Sequence, residues 1–330
     1  MPDRLPVALA INDYDHVRDL ASGVVPVEGV ALNCIHHSVE EIFFRFTKFR
    51  EWDVSELSLA KYCSLRAAGD DSVVAVPVFI SRAFRHSAIF VRDDGPVDRP
   101  SELSGGRIGI PEWTQTATVY ARAILEHEYG IGLRDVTWVQ AGTNQPGRIE
   151  GVAVTAPDGV SVVARPDDTL NDLLIAGEVD AVIAAHPPTD FLRETGRIVR
   201  LFSNYRELEE EWYRRTGVFP IMHVLALRAE FHERHPWVAM NLVTAFEAAK
   251  CRSLDRMLDF GAPRIPVPWA AANNERGRSI VGSDPWPFGI EPNRTTLNAF
   301  LDWAVEQGVC ARRLEVEDLF VPEVQDRFTI

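Results

Sequence analysis

The sequence has few cysteines, and they form no pattern. Cys34, Cys63, Cys251 and Cys310 are far apart and make no CxxC pair. They read as four reduced, mostly buried thiols rather than a disulfide framework. Basic residues are in deficit: 34 Lys and Arg stand against 48 Asp and Glu, for a formal charge of −14. Nucleic acids and anionic membranes need clustered positive charge, so this balance argues against both as partners. It leaves room for a local basic pocket around a small anion. Long apolar runs are missing too, and no stretch approaches the ~20 residues of a membrane span. The first residues, MPDRLPVALAINDYDH, hold only a short VALAI run before charges resume, unlike a secretory signal. The expectation is a soluble, cytoplasmic chain.

Cofactor and nucleophile signatures are equally absent. There is no GxGxxG, no GxxxxGK followed by Ser or Thr, no GxSxG and no HExxH, so nothing supports a nucleotide cofactor, a hydrolase elbow or a zincin helix. The nine histidines do not group by spacing. His36 and His37 point apart on any regular element, and His232 and His235 flank a helix start. A zinc site needs three or four converging ligands.

What is present is an ordinary globular composition over 330 residues, 46% hydrophobic and 25% charged. That length suggests about two domains and a core that needs no staples. Apolar runs at Pro6–Ile11, Val30–Ile35, Val73–Ile80 and Ser87–Val91 read as strands. Tyr14–Ser22, Val39–Arg50 and Leu59–Ala68 read as helices. Asp93–Arg99 (DDGPVDR) reads as a linker. Beyond it, Arg107–Ile110, Val136–Val139 and Ala181–Ala184 read as strands, with helices at Thr114–Tyr129 and Leu170–Ala176. Ala141–Asp168 has no helical period and reads as a long loop or small hairpin. A charged helix at Tyr205–Arg215 and a strand at Gly217–Leu227 precede the longest helix, about Trp237–Leu258. Arg264–Asn293 reads as irregular, and a last helix runs near Arg294–Gln307.

Alternating strands and helices predict an α/β protein of two mostly parallel sheets. Ligands in such folds bind beyond the carboxyl ends of the strands. That directs attention to Asn12–His16, Ser58, Ser81–His86, Glu112–Thr116, Ala185–Pro188 and the surroundings of His223.

Several segments, spread over the whole chain, carry a resemblance: LAINDYDH (Leu9–His16), SELSLAKY (Ser55–Tyr62), VPVFISRAFRH (Val76–His86), RIGIPEWTQTATVY (Arg107–Tyr120) and SDPWPFGIE (Ser283–Glu291). Together they resemble the 4,5-dihydroxyphthalate decarboxylase family, cytoplasmic relatives of the type 2 periplasmic binding proteins. The resemblance implies a two-lobed fold with a ligand cleft between lobes. Residues 1–97 and 206–330 would form lobe one, and 98–205 lobe two. It implies a cofactor-independent carboxy-lyase acting on a small aromatic dicarboxylate, by protonation of the ring carbon that bears the departing carboxylate. It also leaves open a closely related phenolic acid as substrate, a cytoplasmic binding protein or sensor for an aromatic acid, and a metal-dependent lyase using His16, His186 and His223 as ligands. No metal is expected on the first reading. An acidic enzyme of this size is compatible with a homo-oligomer.

Such chemistry needs a proton donor, a hydrogen-bond acceptor at the phenol and a carboxylate clamp. His16 with Asp13, His186 and His223 are the candidate acid–base residues, since histidine titrates in the useful range. Arg82 is favoured over Arg85 as the clamp, because a guanidinium fork matches a carboxylate. Ser81 lies beside it. Trp113, Thr114, Gln115 and Thr116 open a helix whose free amides suit an anion. Ser58 reads as a helix cap at the cleft, Arg148 as a loop residue able to close over an anion, and Trp286 as a wall for the aromatic ring.

Overall fold

The computed structural model describes residues 4–259, 261 and 265–325. Eleven strands lie among them: β1 (Leu5–Ala10), β2 (Val30–Ile35), β3 (Val54–Ser58), β4 (Val73–Arg82), β5 (Ile89–Arg92), β6 (Arg107–Ile110), β7 (Thr137–Gly142), β8 (Ser161–Thr169), β9 (Ala181–Ile183), β10 (Ile198–Arg200) and β11 (Ile221–Arg228). They form two sheets, of order β2-β1-β3-β11-β4 and β10-β5-β9-β6-β7-β8. Both sheets are mixed. β1 runs parallel to β2 and β3, whereas β11 lies antiparallel between β3 and β4. In the second sheet, β6 is parallel to β7 and β9, while β5 is antiparallel to β9 and β10. The antiparallel members include β5 and β11, the strands that follow each crossing of the chain between sheets.

Local chemistry sets the helices that matter for the site. Ser38 caps the helix Val39–Phe49 by accepting from Glu41 N at 3.4 Å, and Ile42, Phe43 and Phe46 face inward at helical spacing. Ser58 ends β3 and at once caps the helix Leu59–Ala67, accepting from Lys61 N at 3.5 Å. A cap stabilises a helix by about 0.5–2 kcal/mol, and here it also fixes where the following side chains point.

The first crossing between sheets is at Ala83–Ala88, so Ile89–Arg92 belongs to the second sheet. The lobe boundary therefore lies ahead of residue 97. Asp93–Arg99 is a rim turn instead, tied back by Asp93 N to Arg197 O at 3.0 Å. A Gly- and Pro-rich run marks a tight turn, and a tight turn need not divide domains. Two elements fall where no period was visible. β8 occupies the end of the expected loop Ala141–Asp168 and runs one residue past it. It is an edge strand whose first four side chains are exposed, and it tolerates Pro166 for that reason. The helix Ala270–Val281 lies within the stretch expected to be irregular, of which Arg264 is outside the described residues, and it buries no residue. The helix expected at Tyr14–Ser22 shrinks to Arg18–Ala21.

A main core spans both sheets and a smaller one sits in the second. The C-terminal segment returns to the first sheet, where Val321 N bonds Ala75 O at 3.1 Å. On its way it grips the second lobe. Gln307 O accepts from Trp113 Nε1 at 2.8 Å, and its amide accepts from Arg122 Nε at 2.7 Å and donates to Val119 O at 3.0 Å. No helix among the described residues is long and apolar enough to cross a membrane.

Candidate active site

A cavity of about 390 Å³ opens where the carboxyl ends of the two sheets face each other, within the ~300–1,000 Å³ range of small-molecule sites. Lobe one supplies Asn12, Tyr14, Glu40, Phe43, Ser58, Lys61, Ser81, Arg85 and His223. Lobe two supplies Glu112, Gln115, Thr116, Arg148 and His186. Past Glu40 and Arg148 the space continues into a wider groove of about 690 Å³ beside Phe44, Lys48 and Gly147–Gly151.

Sheet register builds the acid–base centre. His223 on β11 lies opposite Ser58 on one neighbour and Ser81 on the other. The β11–β4 register shifts on both sides of His223, and such irregularities re-aim a side chain. Its Nδ1 is 2.6 Å from Oε1 of Glu56, a fully buried carboxylate on β3. Tyr14 Oη donates to the same oxygen at 2.6 Å, and Asn12 N donates to Oε2 at 3.1 Å. Burial and the Glu56 charge push the Tyr14 phenol well above its usual range, so it stays protonated and donates. With Nδ1 engaged, Nε2 is the ring atom left for a ligand. Phe43 holds the ring edge-on at a centroid distance of 4.8 Å.

Charged groups line the rest of the cavity. Arg85 bonds Met222 Sδ through Nε at 3.1 Å, and Glu209 acts on it only through space. Burial lowers its guanidinium to about 10, so it remains a cation at neutral pH. Glu112, 3% exposed, lies 2.6 Å from Lys61 Nζ and also pairs with Arg148. Glu40 lies 3.0 Å from His186 Nε2. The hydrogen bond from His186 holds the Glu40 carboxyl down at about 2, and Glu40 in turn raises His186. Ser58 and Thr116 hydroxyls meet at 2.8 Å across the lobes.

Of the residues expected at the site, Ser58, Ser81, Gln115, Thr116, Arg148, His186 and His223 line this cavity. Of the others, all but Asp13 have structural partners. Arg82 is buried between the rings of Phe79 and Phe219 and donates to Phe219 O at 3.1 Å, Pro287 O at 2.8 Å and Asn293 Oδ1. It pins the SDPWPFG turn, and Arg85 reaches the cavity in its place. His16 Nε2 is 3.0 Å from Ile80 O, its ring packs 5.6 Å from Trp286, and burial lowers its pKa. Asp13 is exposed. Trp286 donates its indole proton to Phe79 O at 2.9 Å. The amides of Trp113 and Thr114 are taken by the chain's own Glu150 Oε2, at 2.7 and 3.2 Å, and Thr114 Oγ1 bonds Glu150 as well. An anion site there is already filled by the protein. His16, His186 and His223 do not bring their ring nitrogens together as a ligand set. The one group among the described residues spaced to hold a metal is Glu126, His127 and Glu306, away from the cavity.

Tyr14 and Glu112 lie inside the strand-end segments that drew attention, without a role assigned to them, and Glu56, Lys61 and Glu40 were missed. For Glu56 a signal existed, because a carboxylate inside the strand VSELS has to be buried against a partner.

No family model matches the chain. The fold is that of the two-lobed solute-binding proteins. The periplasmic aliphatic sulphonate binding protein SsuA from Escherichia coli superposes with a TM-score of 0.55 at 12% identity, covering 98% of this chain and 99% of that one. Sequence narrows the class. The 4,5-dihydroxyphthalate decarboxylase of Comamonas testosteroni is 39% identical over 328 residues, 99% of each chain. That of Pseudomonas putida is 38% identical over 213 residues, 64% of this chain and 83% of the relative. The chain belongs to the 4,5-dihydroxyphthalate decarboxylase family.

Proposed function

We propose that this protein decarboxylates 4,5-dihydroxyphthalate, or a closely related phenolic carboxylic acid, to 3,4-dihydroxybenzoate and carbon dioxide. One observation carries the reading beyond family membership. A carboxylate-backed imidazole, His223 on Glu56, shares a cavity with Arg85, a guanidinium that has no ion-pair partner among the described residues. The first is a proton donor held in orientation, and the second is a clamp for a carboxylate.

In this mechanism Arg85 holds a substrate carboxylate while His223 Nε2 delivers a proton to the ring carbon bearing the departing one. A C–H bond forms, and electron density drawn from the para hydroxyl gives a dearomatised, protonated dienone. The carbon–carbon bond then breaks. Carbon dioxide leaves, and the bonding pair restores the aromatic ring. His223 regains its proton from water, and Glu56 stabilises the imidazolium before and after. We also propose a cytoplasmic location, supported by four free cysteines.

The test is incubation with 4,5-dihydroxyphthalate, following carbon dioxide and 3,4-dihydroxybenzoate, with phthalate as the control that lacks the para hydroxyl. Turnover of the first and none of the second is expected. Tight binding of both with no carbon dioxide from any phenolic acid would make the protein a binder, and the catalytic reading would fall.

A further inference from the structure

The cavity's charges do not pair one to one. Glu56 has His223 and Glu40 has His186. Glu112 has two cations, Lys61 Nζ at 2.6 Å and Arg148, while Arg85 has no carboxylate within ion-pair reach among the described residues. Glu112 is thus shared by two cations and Arg85 has none to share, so positive charge stands unmatched by a contacting carboxylate in two places. One is Arg85 on lobe one. The other belongs to the Lys61–Glu112–Arg148 cluster, and that cluster spans the cleft. Lys61 sits on the lobe-one helix Leu59–Ala67, whereas Glu112 follows β6 and Arg148 follows β7 in lobe two. Lys61 is 8% exposed in its side chain and Glu112 3%, so this charge is poorly screened by solvent.

We propose that Lys61 and Arg148 form a second carboxylate subsite, and that Glu112 is the internal anion that holds them in place when the subsite is empty. This deepens the proposed function and rests on it. A vicinal dicarboxylate then meets two positive centres, Arg85 with one carboxylate and the Lys61–Arg148 pair with the other. A monocarboxylate meets only one. The pairing selects substrate over product, because decarboxylation removes one of the two anchors. It also couples chemistry to release. The second carboxylate ties a lobe-one cation to a lobe-two cation, and its loss unties them.

The experiment is calorimetric titration of the full chain with phthalate and with benzoate, neither of which has the para hydroxyl needed for turnover. The unaltered protein is expected to bind phthalate about tenfold or more tightly than benzoate, the scale of one charge-assisted contact. Lys61→Met and Arg148→Met should each weaken phthalate about tenfold and leave benzoate within about twofold. Glu112→Gln should act in the opposite direction, tightening phthalate several-fold, since it removes the competing internal anion. That sign cannot come from a misfolded variant. Equal losses for both probes in the two cation variants, or weaker phthalate binding in Glu112→Gln, would overturn the subsite. Turnover of 4,5-dihydroxyphthalate is measured separately. Two-point binding without turnover sinks the proposed reaction and keeps the subsite, and turnover without two-point binding does the reverse.

Discussion

Replacing Glu56 by glutamine keeps the side chain's shape and removes its charge, and the structure dictates what must then break. Oε1 accepts from Tyr14 Oη at 2.6 Å and faces His223 Nδ1 at 2.6 Å, while Oε2 accepts from Asn12 N at 3.1 Å. An amide has only one oxygen. If it faces His223, the NH₂ group confronts the Asn12 N–H. If it faces Asn12, the NH₂ group turns to Nδ1 and forces the opposite imidazole tautomer. In the first case a charge-assisted hydrogen bond becomes a neutral one, a loss of about 1–2 kcal/mol in support of the imidazolium. At about 1.4 kcal/mol per tenfold, kcat falls about 5- to 30-fold. The flipped amide costs more. KM should stay within about threefold, because Glu56 does not contact substrate. His223→Asn removes the proton donor itself and should cost about 10²–10⁴ in kcat. The assay is steady-state decarboxylation by both single variants and the double variant. Residues that act as a unit are not additive, so Glu56→Gln should add almost nothing to His223→Asn. Fully additive losses, or a Glu56→Gln enzyme with unchanged kcat and a lowered melting temperature, would refute the coupling.

Three further outcomes are expected. Arg85→Met should raise KM for 4,5-dihydroxyphthalate about 10- to 100-fold with little change in melting temperature, and lysine should rescue it poorly because it lacks the fork. Arg82→Met should do the opposite: it strands the Phe219 carbonyl and takes a donor from Pro287 O and Asn293 Oδ1, lowers stability by about 2–5 kcal/mol in denaturant titration, and leaves KM of the folded fraction unchanged. The Glu40–His186 contact between lobes should be pH-dependent. His186 is raised above 6.5 and Glu40 is lowered from 4.5 to about 2, so its contribution is full between 4.5 and 6.5, is lost in acid as pH falls from 4.5 through about 2, and disappears as pH rises through the raised histidine value. Thermal melts of the unaltered protein and His186→Gln should therefore differ most between pH 4.5 and 6.5 and converge in alkali.

Much of the fold was legible wherever burial imposed a period. Val30–Ile35, Arg107–Ile110 and Leu170–Ala176 lie where their apolar pattern puts them. β8 and the helix Ala270–Val281 were not legible because neither buries a face, and without burial there is no period to read. The site divides along a similar line. His223 was visible as a lone histidine in an apolar strand, but Glu56 lies 167 positions away, and no local spacing announces that pair. Arg82 and Arg85 share one short segment. Which of them enters the cavity depends on Asn293 and Pro287, more than 200 positions on. The amides at Trp113 and Thr114 had the right character for an anion, and only the folded loop shows that Glu150 is that anion.

The grip of Gln307 on Trp113, Val119 and Arg122 makes one corner of the molecule a pivot. Any parting of the lobes that preserves these bonds swings about that corner, like a book opened with its spine held. The groove beside Phe44 and Lys48, where an exposed ring and a cation sit side by side, leads off the cavity.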